Sequence, residues 1–381
     1  MEHLAPRTAR QTRNTGAISA YGLAQVALCE ALHRRLGSVG GTIYVSVGQP
    51  FRVACAGGLE APPYRRIARD QSCRHMKIRD AVTAARGLLV RAGIEPGEAA
   101  FDAELLAREV LGWDLARYIA HSDEPIPGSL VTPFEVLVGR RERREPMSLI
   151  LGRREFWGLE FEVTSDVLTP RPETEFIVEE ALAQMRSGWP EGSPQRRGRP
   201  ASGPRLLFAD VGTGSGCLAV ALAREIGEAR VVATDVSEAA LEVARRNARR
   251  HGVADRVTFV QSSLLDGVGG VFDLIVSNPP YVPTDLFVTL PPEVREHEPR
   301  LALDGGPDGL DAIRGLIAQA VSRLTAGGHL IVEFGVGQED GVRQAASRWP
   351  PLQLQRIRLD LQGIPRTAVL TKRPDAGARE V

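Results

Sequence analysis

No run of about eighteen or more apolar residues occurs in the 381-residue chain, which argues against a bilayer-spanning helix and for a soluble protein. Charge of one sign is not in excess either: 47 lysines and arginines face 47 aspartates and glutamates, a formal net charge of +0. The positive surplus that dominates binding to nucleic-acid backbones is missing, so direct DNA binding is not expected. Cysteine is scarce. Cys29, Cys55, Cys73 and Cys217 form no Cys-x-x-Cys pair, which argues against a disulfide framework or a zinc site and suits a reducing cytoplasm. His121, His251, His297 and His329 are too scattered for metal-ligand spacing, and no metal is expected. Apolar residues are plentiful, at 43% of the chain, enough for one large globular domain and at least one smaller one.

Residues 1–75 differ from the rest, with ten arginines, no lysine, and only Glu2, Glu30, Glu60 and Asp70 as acids. A transit peptide, a disordered extension and a translated region upstream of the true start all produce such a composition. The last is favoured, because the first convincing helix opens at Met76-Lys77-Ile78. Ile78, Val82, Ala85 and Leu89 recur at helical spacing up to Gly93; Phe101, Leu105, Leu106 and Val110 form a second helix ending at Gly112; residues 134–143 form a third. Residues 76–153 thus read as a small helical bundle for packing or partner docking.

Alternating Phe161 and Val163 and a short segment at Leu168 predict a strand pair between Phe156 and Thr169, bridging two domains over residues 154–170. Prolines and acids in Thr169-Pro170-Arg171-Pro172-Glu173-Thr174-Glu175 then open a helix that buries Phe176, Ile177, Ala181 and Leu182. Residues 187–204, rich in Gly, Pro, Ser and Arg, cannot bury a core and read as a mobile loop. Beyond it, strand candidates at 206–210, 230–235, 257–261, 272–277 and 329–334 alternate with helical segments such as 237–250 and 311–324. For residues 171–381 this predicts an α/β domain with a doubly wound, mostly parallel sheet, whose ligands bind beyond the carboxyl ends of the strands.

Asp210-Val211-Gly212-Thr213-Gly214-Ser215-Gly216 follows the first of these strands and leads into a helix at 217–225. Glycines let the backbone turn sharply and lie against a ligand whose volume a side chain would occupy. Asp235, nineteen residues beyond Gly216 at the end of the second strand, is placed to accept hydrogen bonds from two ribose hydroxyls. A tight strand-to-helix turn without a ligand is the lesser alternative. Gly-x-Gly-x-Gly, rather than Gly-x-Gly-x-x-Gly, leans away from a dinucleotide and resembles the loop of methyltransferases that bind S-adenosylmethionine. Cys217, just after the loop, suits structural burial more than nucleophilic use.

Asn278-Pro279-Pro280-Tyr281 follows the fourth strand on the same edge as the glycine loop. Two prolines fix the backbone and remove two donors, leaving nearby carbonyl oxygens available as acceptors. An amide or arylamine NH2 carries two donors and a delocalised lone pair, so it needs orientation more than a base. The Asn278 side-chain oxygen and the Pro279 carbonyl can each accept one N–H, with Tyr281 stacking on the planar group. A plain rigid turn would explain Asn-Pro-Pro alone, but not its coincidence with the pocket edge. By itself the motif leaves adenine and glutamine as nearly equal candidates.

Further strings accompany these: Asp102-Ala103-Glu104-Leu105-Leu106, Gly152 with Glu155-Phe156, the Thr169 to Glu175 string, Glu298-Pro299-Arg300-Leu301-Ala302-Leu303, Gly305-Gly306-Pro307-Asp308-Gly309-Leu310, Glu333-Phe334-Gly335 with Gln338, and Asp360-Leu361-Gln362-Gly363 with Arg366. From about Met76 to Arg366 the chain resembles the HemK/PrmC family, the glutamine N5-methyltransferases that modify peptide chain release factors. The resemblance implies a class I methyltransferase-like sheet with a small N-terminal helical bundle that docks the release factor. It implies S-adenosyl-L-methionine as cofactor, held by Gly212, Thr213, Gly214, Ser215, Gly216, Asp235, Ser263, Leu264 and Asn278. It places the substrate glutamine at Asn278, Pro279, Pro280 and Tyr281, with the catalytic work at Asn278, Pro279 and Tyr281. The reaction implied is a direct SN2 transfer to a glutamine in a Gly-Gly-Gln loop, without a covalent enzyme intermediate or an assigned general base.

Two departures stand out. Gln261-Ser262-Ser263-Leu264 lies where the family usually has an acid after the first serine, so Ser263 replaces an adenine-side carboxylate and Asp266 is a poorly placed substitute. The loop at 187–204 is longer than usual. Glu298 is expected to fix the loop over the pocket rather than to form an acid pair with Glu296. The alternatives are a glutamine methyltransferase acting on a ribosomal protein, an N6-adenine methyltransferase, and an inactive cofactor-binding protein that docks release factors; an intact Asn278 and Tyr281 argue against the last.

Overall fold

In the computed structural model the described residues are 76–186 and 206–374; the expectations for residues 1–75 and 187–204 lie outside them. The described chain divides after Val138 into two compact units. No helix among the described residues is long and apolar enough to cross a membrane.

In the first unit, helix α1 (Ile78–Arg91) buries Ile78, Ala81, Ala85 and Leu89, an i, i+3, i+4 stripe. Helix α2 (Pro96–Leu111) starts with proline in its first turn and with the Glu95 carboxylate accepting from the N–H groups of Gly97 and Glu98. It stops at Gly112, whose left-handed φ of 65° closes the last turn. Its buried face is Ala99, Asp102, Ala103, Leu106 and Ala107. Phe101, expected inside, is 61% exposed, because small alanines rather than the larger apolar residues mark the packed side. Helix α3 (Leu115–His121), capped by Asp114, buries nothing and so carries no apolar period to read. Helix α4 (Gly128–Glu142) begins at Gly128 rather than at 134, with Pro133 inside its second turn.

The second unit opens with α5 (Met147–Leu151) and an antiparallel hairpin of β1 (Arg153–Phe156) and β2 (Leu159–Glu162). Trp157 and Gly158 both take positive φ, the two-residue turn that matches strand twist. The strand pair thus lies earlier than expected, and the segment around Leu168 is not a strand. A 3-10 turn at Pro172–Thr174 leads into α6 (Glu175–Arg186), which buries Phe176, Ile177, Val178, Glu180 and Ala181.

Seven strands then form one sheet: β3 (Leu206–Val211), β4 (Ala229–Asp235), β5 (Val257–Gln261), β6 (Phe272–Ser277), β7 (Leu324–Glu333), β8 (Leu352–Leu359) and β9 (Pro365–Lys372), in the order β5-β4-β3-β6-β7-β9-β8. Strands β3 to β7 are parallel; β9 runs antiparallel between β7 and β8. This is the doubly wound, mostly parallel sheet expected of a class I methyltransferase. The antiparallel β8–β9 pair was not read from the sequence. Strand β6 is buried along its whole length, which is why it reads as an unbroken apolar run. Helices α7 (Cys217–Glu225), α8 (Glu238–Arg250), α9 (Pro292–Arg295), α10 (Asp311–Arg323) and α11 (Glu339–Ser347) fill the connections.

The topology positions the site. From β3 the chain winds outward through β4 and β5 and then returns to β6 on the other side of β3. Strands β3 and β6 are in register up to Val211 opposite Ser277, so Gly212 and Asn278 leave the sheet side by side at this switch point, where open α/β sheets bind ligands.

Candidate active site

A cleft of about 420 Å³ opens at that point, within the range of small-molecule sites. Gly212, Thr213, Gly214, Ser215, Asp235, Ser263, Leu264, Asn278, Pro279 and Pro280 all line it. Gly216 and Tyr281 are not among its lining residues.

The glycine loop is pinned from below by the N–H groups of Gly212 and Thr213, which donate to the Thr234 carbonyl at 2.9 and 2.8 Å. Gly212 and Gly214 take φ of 71° and 53°, and a Cβ on either would enter open space rather than protein. The cradle is therefore one that a side chain would fill, which suits a ligand lying against the backbone. Gly216 sits beneath, capping α7, where a Cβ would stand 3.0 Å from that of Ala244.

Asp235 ends β4 with one oxygen accepting from the Gly214 N–H at 2.9 Å and the other from the Ser237 N–H at 2.9 Å. Burial pushes its pKa up, opposed by those backbone donors. Asp210 accepts from the Thr213 hydroxyl at 2.6 Å and the Ala219 N–H at 3.0 Å through Oδ2, while its buried Oδ1 has no partner. Burial pushes the Asp210 carboxyl up to about 7, and nearby Asp235 adds to the rise. The sequence placed Asp210 only as the start of the loop and signalled no separate role. Leu264 reaches the cleft with a left-handed φ of 53°, its carbonyl held by the Thr234 hydroxyl at 2.8 Å. Ser263 is exposed on the rim; Asp266 does not line the cleft and accepts from the Gln319 amide at 2.7 Å.

On the other side, the Asn278 Nδ2 donates to Thr174 Oγ1 at 2.9 Å, and the Thr174 hydroxyl donates to Glu333 Oε2 at 2.7 Å. The Tyr281 hydroxyl donates to Glu333 Oε1 at 3.2 Å. Thr174 has one hydrogen, and with Glu333 ionised that hydrogen goes to the carboxylate, so the Thr174 oxygen can only accept from Asn278. The amide nitrogen must face it, and Asn278 Oδ1 is left buried without a partner. No backbone donor among the described residues reaches the Pro279 carbonyl. Tyr281 is buried and lines a separate cavity of about 210 Å³ with Gly335, Val336, Gly337 and Gln338. Burial pushes Glu333 up to about 7; Glu173 raises it further, while the Thr174 hydroxyl, Arg366 and the Tyr281 hydroxyl oppose the rise.

The later strings hold this half in place. Gln338 accepts from the Gly335 N–H at 2.8 Å and donates to the carbonyls of Tyr281 at 2.8 Å and Asp308 at 3.1 Å, joining three loops with one amide. Glu298, 6% exposed, pairs with Arg171 on the cleft wall. Among the described residues no cluster of His, Cys, Asp and Glu could hold a metal ion. Thr174 and Glu333 both lie inside strings quoted from the sequence, yet their link spans 159 positions and no local pattern announces it.

Comparison with known proteins agrees with the geometry. Residues 80–152 match the family model of the PrmC N-terminal domain, and residues 204–287 that of the methyltransferase small domain. The release factor glutamine methyltransferase of Geobacter sulfurreducens is 44% identical over 272 residues, covering 71% of this chain and 88% of that protein. That of Bradyrhizobium diazoefficiens is 44% identical over 277 residues, covering 73% and 89%. The Moorella thermoacetica protein of the same name is 37% identical over 305 residues, 79% of this chain and 100% of the relative. With a glycine-cradled cleft beside an Asn-Pro-Pro-Tyr turn and likeness along nearly the whole length of these relatives, the chain belongs to the release factor glutamine methyltransferase family, enzymes whose methyl donor is S-adenosylmethionine.

Proposed function

We propose that this chain methylates the side-chain amide N5 of the glutamine in the Gly-Gly-Gln loop of peptide chain release factors, in the cytoplasm, with residues 76–153 docking the protein substrate and residues 171–381 carrying the chemistry. The observation that carries the reading is Asn278 Oδ1: a buried acceptor with no partner, oriented by its neighbours, on the wall of the cleft lined by Gly212, Gly214 and Asp235.

Bound S-adenosylmethionine supplies a methyl group on a positively charged sulfur; its carbon–sulfur bond breaks as the carbon–nitrogen bond forms, leaving a thioether and, after one N–H proton passes to water, N5-methylglutamine. Gly212, Thr213, Gly214, Ser215, Ser263 and Leu264 would border the cofactor, with Asp235 accepting from ribose hydroxyls. Gly216 supports this loop from beneath rather than touching the ligand. Asp210, bonded to the Thr213 hydroxyl of this loop, would add negative potential near a cationic group when ionised.

A glutamine amide is a poor nucleophile because its lone pair is shared with its own carbonyl. Asn278 Oδ1 and the Pro279 carbonyl each accept one N–H, which fixes the plane of the amide and turns its face to the methyl group. The same two oxygens stabilise the positive charge that grows on nitrogen during transfer. Tyr281 contributes from behind, its hydroxyl anchored on Glu333 rather than free to contact the substrate.

Incubation with methyl-labelled S-adenosylmethionine and, separately, a release factor, a ribosomal protein and DNA tests the reading. Label is expected on the release factor, at the glutamine; label on the ribosomal protein or DNA alone would overturn it.

A further inference from the structure

We propose that Glu333 is a positioning residue for methyl transfer: through the Thr174 hydroxyl it decides which end of the Asn278 amide faces the substrate nitrogen. The inference rests on the reading of Asn278 as the grip on the substrate amide.

The two ends of an asparagine side chain have nearly the same shape, so packing alone cannot choose between them. A threonine hydroxyl cannot choose either, because it rotates to donate or to accept. An ionised carboxylate accepts only. Glu333, 2% exposed, draws the Thr174 hydrogen to itself at 2.7 Å, and the Thr174 oxygen is then obliged to accept from Asn278. The other Glu333 oxygen is occupied by the Tyr281 hydroxyl. Three segments that are distant in sequence thus converge to fix one amide.

A neutral Glu333 would reverse the logic. Its own O–H could donate to Thr174, freeing the threonine hydrogen to bond the oxygen of a flipped Asn278. The amide would then present N–H groups to the N–H groups of the substrate. The groups that bear on Glu333 are Glu173 in the turn before α6, Arg366 on β9, the Tyr281 phenol after β6 and the Cys217 thiol at the start of α7. Turnover is accordingly expected to fall as pH drops and Glu333 takes up its proton.

The test measures kcat, KM for the protein substrate, cofactor Kd, melting temperature and the pH profile for Glu333→Gln, Thr174→Val, the double variant and Asn278→Ala. Glu333→Gln and Thr174→Val are each expected to lower kcat by about 10- to 100-fold, with cofactor Kd changed by less than about threefold. Glu333→Gln is expected to lose the acidic limb of the kcat profile, and the double variant to be no worse than the poorer single. Wild-type kcat and pH profile in either folded single variant, or losses that multiply, would overturn the proposal. If Glu333→Gln fails to fold, Thr174→Val, which deletes one hydroxyl and keeps the shape, decides alone. Undiminished turnover in Asn278→Ala sinks the grip itself; loss there with wild-type behaviour in the other two sinks only the positioning role.

Discussion

Replacing Gly305 by alanine isolates the substrate half of the site. A Cβ at this position would stand 2.7 Å from the Gly309 carbonyl oxygen, 2.7 Å from that of Pro280 and 2.8 Å from Tyr281 Cα. Real Cβ atoms essentially never approach another heavy atom closer than 3.0 Å, so all three backbone atoms are too close. None of them can swing aside. The Gly305 N–H is bonded to the Val282 carbonyl at 2.9 Å and the Val282 N–H to the Leu303 carbonyl at 2.8 Å, which stitches the two loops together. Overpacking of this kind costs about 1–3 kcal/mol, below the roughly 5–15 kcal/mol that holds a domain folded. The variant is therefore expected to fold, with a melting temperature lower by roughly 2–12 °C. The strain is relieved by shifting Pro280 and Tyr281 and, with them, Asn278 and Pro279. A misplacement of about 1 Å can cost about 100-fold in rate, so kcat should fall about 10- to 100-fold, while cofactor Kd, which the proposed site assigns to the glycine loop and Asp235, stays within about threefold. Calorimetric cofactor titration, thermal melting and labelled methyl transfer read the three quantities. Gly227→Ala, where a Cβ meets nothing within 4 Å, is the control and should match the parent. A Gly305→Ala enzyme with unchanged melting and turnover would refute the claim that this loop braces the Asn-Pro-Pro-Tyr turn.

Other perturbations separate the two halves of the cleft. Asn278→Ala should reduce transfer by about 100- to 1000-fold with cofactor affinity nearly intact; equal losses in both would mean that Asn278 serves the cofactor instead. Asp235→Ala removes a half-buried charged acceptor, here for Gly214, and should raise cofactor Kd by about 10- to 100-fold in the same titration. Cofactor protection should depend on pH through Asp210, whose carboxyl sits near 7. Neutral below that point and negative above it, Asp210 should make the melting-temperature rise given by S-adenosylmethionine larger at pH 8 than at pH 6, and Asp210→Asn should flatten this difference. Without cofactor the sign reverses. A carboxyl raised from 3.8 to about 7 contributes its full stability below the lower value and loses it as pH climbs through the upper one, and Glu333 acts in the same direction.

Several parallel strands were legible almost to the residue: β5 and β6 span the predicted 257–261 and 272–277, and β3 extends one residue beyond the predicted 206–210 to Val211. The C-terminal β8–β9 pair was not, since β8 is largely half-buried or exposed and alternates apolar with polar residues. Helix α3 buries nothing, and the inner face of α2 is written in alanines, so hydrophobic size pointed to Phe101 instead. At the site, short-range patterns brought the glycine loop, Asp235 and Asn278 to one cleft, because strand–loop–helix order dictates which edge each occupies. What the patterns could not carry was the wiring behind them. Asn278 is 104 positions from Thr174, and Thr174 is 159 from Glu333. Three residues with no common period or spacing give no signal until the sheet brings them together.

That wiring has a consequence for biosynthesis. Chains emerge from the ribosome N-terminus first. The glycine loop, Asp235 and Leu264 have all been made by the time residue 264 has left the exit tunnel, but the partners of Asn278 and Tyr281 include Glu333 and Gln338, and the Phe334 N–H waits for the Arg366 carbonyl at 2.9 Å. The proposed grip on substrate is therefore among the last features a nascent chain can complete, well after the groups that would hold the cofactor. A transcript cut short before residue 333 would encode a chain lacking Glu333 and Gln338, and with them the braces of the Asn-Pro-Pro-Tyr turn.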